Sequence, residues 1–78
     1  MTHLSPRMYH HLHHAHLACA GRYRALAKDL AEATRPDWYG RSAEWQHEHA
    51  RVVIAAARSE IAAAKRLREQ QTRSDNNG

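Results

Sequence analysis

The sequence predicts an all-α protein in which two long helices form an antiparallel hairpin, and two observations lead to this prediction. Two alanine-rich stretches carry apolar residues at helical spacing, and a short turn at residues 35–40 separates them. Helices joined by so short a connection must run antiparallel. Because a two-helix hairpin leaves part of each apolar stripe in water, we expect two copies to form a four-helix bundle.

Length and composition limit the domain organisation and the surroundings of the chain. Its 78 residues make one domain, which we place at residues 1–71 and which alone can be only marginally stable. Cys19 is the only cysteine, and a single thiol is typical of the cytoplasm. The apolar run at residues 52–57 is too short to cross a bilayer, and the N-terminus lacks a signal-peptide pattern. We therefore expect a cytoplasmic protein without membrane contact.

The first helix is predicted at about residues 5–34. Ser5 is a good N-cap and Pro6 suits the first helical position, where its missing N–H costs nothing. Pro36 disfavours helical geometry at Arg35 and so ends this helix. The apolar residues recur every three or four positions and form one stripe, which predicts the buried face of an amphipathic helix. The stripe consists of Met8, Leu12, Ala15, Cys19, Tyr23, Leu26, Leu30 and Ala33.

The second helix has two alternative starts. Pro36 or Asp37 could lie in its first turn, or Ser42 could be its N-cap. We favour the early start, which places the helix at about residues 37–71. The polar residues 72–78 are predicted to form a disordered tail.

An internal repeat in the second helix indicates a helix–helix seam. The sequence Ile54–Arg58 recurs seven residues later as Ile61–Lys65, and seven-residue spacing is typical of coiled coils. Alanines at this density let two helices approach closely, although alanine is also simply the best helix former. The residues that we expect in the core or at the dimer interface are Leu12, Cys19, Leu26, Leu30, Val53, Ala57, Ile61 and Ala64.

A histidine cluster at residues 10–16 leaves several interpretations open. On a helix, His10 and His14 share a face, as do His13 and His16, and a pair four residues apart can chelate zinc, nickel or copper. A structural zinc site needs further ligands, and residues 1–28 contain no acidic side chain. The cluster is therefore a solvated polar face, a pH-sensitive interface or a metal site, and we predict no metal.

Positive charge is moderate and partly aligned. The formal net charge is +4, and Arg51, Arg58 and Lys65 recur at seven-residue spacing on one face of the second helix. Phosphate tracking needs a denser positive strip, and long antiparallel helices do not make a helix-turn-helix. We therefore expect an acidic protein face or bulk solvent here, with binding to nucleic acid as the alternative.

The chain carries none of the common catalytic motifs. It has no glycine-rich phosphate loop, no His-Glu-x-x-His sequence and no close carboxylate pair with an obvious pocket. A two-helix protein also offers no concave site in which to bury a substrate. We therefore expect a protein that is not an enzyme and that needs no cofactor.

Aromatic residues are concentrated at the predicted turn. Both tryptophans, Trp38 and Trp45, lie in or just after it, with Tyr39 between them and Arg35 and Arg41 beside them. Tryptophan, tyrosine and arginine dominate the hot spots of protein interfaces, because they bury large area at low entropic cost. We call these five residues the aromatic tip and predict that they bind a partner, although capping of the helix ends would also use some of the rings.

This architecture, with Tyr39 and Trp45 near the turn, resembles the small inhibitor proteins that bacteriophages express early in infection. Within that group it is similar to the phage anti-activator that blocks bacterial quorum sensing. The resemblance implies a homodimer of helical hairpins in the cytoplasm of a bacterial host. It also implies binding to the DNA-binding region of a LuxR-type transcription activator and inhibition of a type IV pilus assembly ATPase. Helical anti-CRISPR inhibitors are an alternative of the same general type.

Overall fold

The computed structural model describes residues 4–77, with side chains through residue 73. Two helices, α1 (Pro6–Ala31) and α2 (Ala43–Asn77), pack against each other as an antiparallel hairpin of 56 × 17 × 16 Å. The described range contains no strand, so the predicted all-α hairpin is confirmed. Residues 1–3 of the predicted domain and Gly78 of the predicted tail lie outside the described range.

α1 is capped at its N-terminus and ends before the turn. The Ser5 hydroxyl accepts a hydrogen bond from the Met8 N–H at 3.2 Å, and Pro6 occupies the first helical position. This arrangement satisfies one of the N–H groups that a helix start leaves unpaired. The helix ends at Ala31, earlier than the predicted boundary at residue 34.

α2 begins at Ala43, so the favoured start near Asp37 is wrong and the alternative with Ser42 as the N-cap describes the structure. The Ser42 hydroxyl accepts a hydrogen bond from the Trp45 N–H at 3.1 Å. The residues before it cannot be helical, because the Asp37 carboxylate organises a local turn and Gly40 has φ +85°. Glycine adopts this left-handed conformation without steric cost.

α2 also continues further than predicted. It reaches Asn77, past the expected end at residue 71, so residues 72–77 are helical rather than a disordered tail. The side chain of Gln71 donates a hydrogen bond to the Leu4 carbonyl at 2.8 Å, which ties this end of α2 to the start of α1.

Small residues fill the contact between the helices. The buried apolar side chains are five alanines and one valine, each no more than 6% exposed. Alanine leaves little between two helix backbones, so the axes can lie toward the short end of the usual spacing of about 8–10 Å. We call this set the alanine seam. It consists of Ala20, Ala27, Ala50, Val53, Ala57 and Ala64.

The larger apolar residues of α1 lie beside the seam rather than in it. The seam residues Ala20 and Ala27 each follow a residue of the predicted stripe, which displaces the stripe by about 100° around the helix. Of the predicted core or interface residues, Val53, Ala57 and Ala64 are buried. Cys19, Leu30 and Ile61 are half-buried, whereas Leu12 and Leu26 are 42% and 46% exposed.

The displaced stripe gives the hairpin an apolar flank. On α2, Trp45 and Val52 lie on one side of the seam, and Arg51 and Ile54 lie on the other. On that second side, Arg24 of α1 lines the same groove as Arg51 and Ile54. The stripe of α1 likewise lies opposite to Arg24, so the two apolar sets share one side. The exposed members of the apolar flank are Met8, Leu12, Tyr23, Leu26, Trp45 and Val52.

Close packing at the alanine seam predicts that a larger side chain at its centre destabilises the hairpin. Ala57→Leu should lower the free energy of unfolding by about 1–3 kcal/mol, because the added carbons force the helices apart. Chemical denaturation followed by circular dichroism measures this change. Ala55→Leu is the matched control, since Ala55 is exposed two residues away. Equal effects of the two substitutions would contradict tight packing at the seam.

Candidate partner-binding site

The turn between the helices is organised around one carboxylate. Asp37 Oδ1 accepts hydrogen bonds from the backbone N–H groups of Tyr39 and Arg41 at 3.0 and 2.9 Å, and Oδ2 accepts one from Arg41 Nε at 2.7 Å. The backbone closes the same loop, because the Gly40 N–H donates to the Asp37 carbonyl at 2.9 Å. Asp37 therefore holds residues 37–41 in one conformation.

Arg41 organises the rings of the aromatic tip. Its guanidinium carbon lies 4.8 Å from the ring centroid of Tyr39 and 4.3 Å from that of Trp45, within the range of cation–π contacts. Trp38 packs on Tyr39 with their ring centroids 3.9 Å apart, and Trp45 stacks on His49 at 4.6 Å. The rings thus support one another through Arg41 instead of entering a core.

Two side chains of α2 attach the turn to the helices. Gln46, the one polar side chain buried among the described residues, is 7% exposed. Its amide nitrogen lies 3.0–3.4 Å from three carbonyl oxygens of the turn. His47 Nε2 donates to the Ala33 carbonyl at 2.7 Å. These contacts satisfy the carbonyls of Ala33 and Arg35, and they add a second donor to the carbonyls of Arg41 and Ser42, which already accept from backbone N–H groups. The acceptors of Gln46 are Arg35, Arg41 and Ser42.

The structure brings four of the five predicted tip residues together through ring and cation–π contacts, and it leaves most of the side chains in solvent. Trp38 is 85% exposed, Tyr39 is 65% exposed and Trp45 is 37% exposed. Arg35 is exposed as well and contributes its carbonyl to the turn. A pre-ordered surface of this composition can bind a protein with little further loss of conformational entropy.

The hydrogen bonds to Asp37 also affect its ionisation. Partial desolvation raises the pKa of this carboxyl, but the hydrogen bonds from the Arg41 backbone and side chain and from the Tyr39 backbone, with the Arg41 charge, outweigh it. The pKa of Asp37 is therefore lower than its ordinary value. The ionised carboxylate is the form that orders the tip.

The histidine cluster divides between two environments. The rings of His10 and His14 stack in solvent with their centroids 6.2 Å apart, as their spacing on the helix requires. His16 turns inward, and its Nδ1 lies 2.6 Å from Glu60 Oε2 on the other helix. His13 is half-buried and packs on Tyr9 with 5.4 Å between the ring centroids. One part of the cluster thus joins the helices, and the other part lies in solvent.

Metal binding and membrane insertion find no support in the part of the chain that the structure describes. In this part, no three side chains of histidine, cysteine, aspartate or glutamate lie close enough together to hold a metal ion. Cys19 is half-buried and unpaired. Neither α1 nor the described part of α2 contains an apolar stretch long enough to cross a bilayer.

The predicted basic line forms one wall of an open groove. Arg51 and Arg58 border the groove from α2, and α1 supplies Arg24 and Lys28 opposite them. Lys65 continues the line of α2 beyond the groove. We call this feature the basic groove, and it occupies about 560 Å³. The remaining residues that line it are Ala27, Ala31, His47, Ala50 and Ile54.

The sequence pattern did not single out several residues that shape these surfaces. The sequence places Asp37 in the turn or in the first turn of the second helix and predicts no contact for its carboxylate, although aspartate often bonds the backbone two residues on. Arg24 and Lys28 are four apart and could have been paired on one face. Their position opposite the basic line depends on the register between the helices, which one sequence does not contain.

Comparison with known proteins adds no family to this description. No protein-family model, curated protein or solved structure matches the chain. The molecule is thus defined by its fold class, an antiparallel helical hairpin, and by three surfaces. These are the aromatic tip, the apolar flank and the basic groove.

Protonation of Asp37 should disorder the tip in acid. Because its pKa is lowered in the folded protein, its contribution to order is complete above the ordinary carboxyl pKa and is lost as the pH falls through the lowered value. Tryptophan fluorescence reports on the tip, since both tryptophans lie there. We expect a fluorescence change below about pH 4.

The variant Asp37→Asn provides the comparison for this titration. It should give an altered fluorescence already at neutral pH, with Arg41 no longer held, and a weaker acid transition. Far-UV circular dichroism, recorded on the same samples, separates loosening of the tip from loss of the helices. A wild-type transition that coincides with helix loss would contradict a local role for Asp37.

Proposed function

We propose that the chain is a small homodimeric inhibitor that binds a host protein through its aromatic tip. The observation that carries the proposal is the exposure of Trp38 and Tyr39 on a turn that Asp37 and Arg41 hold in place. Exposed rings of this size favour association, because covering them removes apolar surface from water. Their fixed arrangement lowers the entropic cost of binding.

The apolar flank supports the dimeric part of the proposal. Its exposed members include Met8 at 56% and Val52 at 61%, which is unusual for a surface with no partner. The alanine seam buries few carbon atoms, so the hairpin alone has a small core. A second copy seated on the apolar flank would enlarge the core and form the predicted four-helix bundle.

A LuxR-type transcription activator is the target that we propose. The basis is the resemblance to phage anti-activators, together with the position of Tyr39 and Trp45 at one end of the hairpin. Insertion of these rings among the helices that contact DNA would block DNA binding by occlusion. The surface requires no catalytic step, in keeping with the absence of catalytic motifs in the sequence.

A DNA-binding assay with purified components tests the proposed target. The wild-type chain should release a LuxR-type activator from its operator duplex in a gel-shift titration. Tyr39→Ala should weaken this inhibition by about 2 kcal/mol or more of binding free energy, because the ring is lost from the centre of the surface. Thr34→Ala is the control, an exposed change just before the turn.

The outcomes of this assay separate the alternatives. Loss of inhibition in Tyr39→Ala but not in Thr34→Ala supports the proposal. Inhibition that survives changes at both Tyr39 and Trp45 contradicts a binding site at the tip. No effect on the activator, with tip-dependent inhibition of a type IV pilus ATPase or of a CRISPR effector, would reassign the target but keep the inhibitor class.

Dimerisation has a separate test. Sedimentation equilibrium at micromolar concentration should return twice the 9.0 kDa mass of the chain. Leu26→Glu with Val52→Glu should shift the mass toward that of the monomer, because two charges would be buried on the apolar flank. Ala55→Glu, on the outer side of α2, is the control and should leave the mass unchanged. A folded wild-type monomer would contradict the dimer.

A further inference from the structure

We propose that the basic groove binds an acidic amphipathic helix of a partner protein. The site is separate from the aromatic tip and does not depend on the function proposed for it. Two observations lead to it. The groove brings four cationic side chains of two helices together, and its lining between them is apolar.

The charge of the groove is not balanced by the chain itself. Among the described side chains, close contacts between a basic and an acidic group join only His16 to Glu60 and Arg41 to Asp37. No carboxylate is among the described residues that line the groove. The cations therefore remain available to an external anionic partner, and a field of one sign attracts such a partner from solution. The four cations are Arg24, Lys28, Arg51 and Arg58.

The shape and the apolar lining favour a helix as the ligand. Ala27 and Ala50 are buried at the bottom of the groove, and Ile54 is half-buried beside them. An apolar stripe of a third helix can pack on small residues between two antiparallel helices, as in other helix-in-groove complexes. Carboxylates on both edges of that stripe would then meet Arg24 and Lys28 on one side and the arginines of α2 on the other.

The same features argue against two other occupants. A nucleic-acid duplex presents phosphates but no apolar ridge, so it would leave the Ile54 side of the groove without a counterpart. A second copy of the chain packed groove against groove would bring four cations against four cations, and facing like charges repel. Self-association is better served by the apolar flank on the opposite side of the hairpin.

Fluorescence anisotropy with defined probes tests the proposal. The first probe is a labelled helical peptide with leucines at positions i, i+3, i+4 and i+7 and glutamates on both edges of that stripe. The second is the same peptide with lysines in place of the glutamates, and the third is a labelled duplex DNA. We expect the wild-type chain to bind the glutamate peptide in preference to both other probes.

Two matched double variants locate the binding. Arg24→Ala with Arg58→Ala removes one groove cation from each helix and should weaken binding of the glutamate peptide about tenfold. Arg22→Ala with Arg66→Ala removes the same net charge from exposed positions outside the groove and should change the affinity less than about twofold. Circular dichroism checks that all variants stay helical.

Ile54→Gln separates a protein ligand from nucleic acid. It should weaken binding of the glutamate peptide, because the leucine stripe loses its apolar contact, and Tyr39→Ala should not. Equal losses in the two arginine pairs would overturn the proposal, since binding would then follow net charge alone. Preferential binding of the duplex that is insensitive to Ile54→Gln would overturn it in favour of a nucleic-acid site.

Discussion

Close packing of the two helices along a row of alanines determines where every larger side chain lies. Because the alanine seam leaves little space between the backbones, leucine, methionine and tryptophan have no place in it. Most of the exposed ones lie on the apolar flank or at the turn, whereas Leu17 shares the opposite side with Arg24, Arg51 and Arg58. The hairpin thus has three distinct surfaces, the aromatic tip, the apolar flank and the basic groove, and each is formed mainly by side chains that lie outside the seam.

The seam also limits how much stability one chain can have. Burial of alanine methyl groups contributes little to stability per residue. The few polar contacts at the two ends of the hairpin therefore supply a larger share of its stability. Gln71 joins α2 to Leu4 at one end, and Gln46 joins α2 to the turn at the other. Between them, His16 and Glu60 form a side-chain hydrogen bond across the described helices. These polar contacts fix the register between α1 and α2, whereas the alanines permit the close approach of the helices.

The sequence was sufficient to predict the two-helix hairpin, but it was insufficient to predict which face of α1 packs against α2. Proline, the capping serine and helical spacing of apolar residues predict two helices, and the structure has them. The stripe through Leu12 and Leu26 predicts a buried face, whereas alanines one position later form the contact. Leucine is more hydrophobic than alanine and is therefore expected at a buried position. Where two helix backbones approach closely, however, the smaller alanine is favoured at the contact. Of the two predicted starts of α2, the structure has the one capped by Ser42, because the bonds that Asp37 accepts hold residues 37–41 in a turn.

In the turn, the residues that fix the backbone conformation differ from the residues whose side chains are most exposed. Its conformation depends on Asp37, Gly40 and Gln46, whereas the side chains of Trp38 and Tyr39 make no described hydrogen bond. Substitutions at positions 38 and 39 therefore leave in place the side-chain hydrogen bonds that set the path of the turn. Such a hairpin can carry different side chains at these two positions, while the helices and the loop between them remain the same.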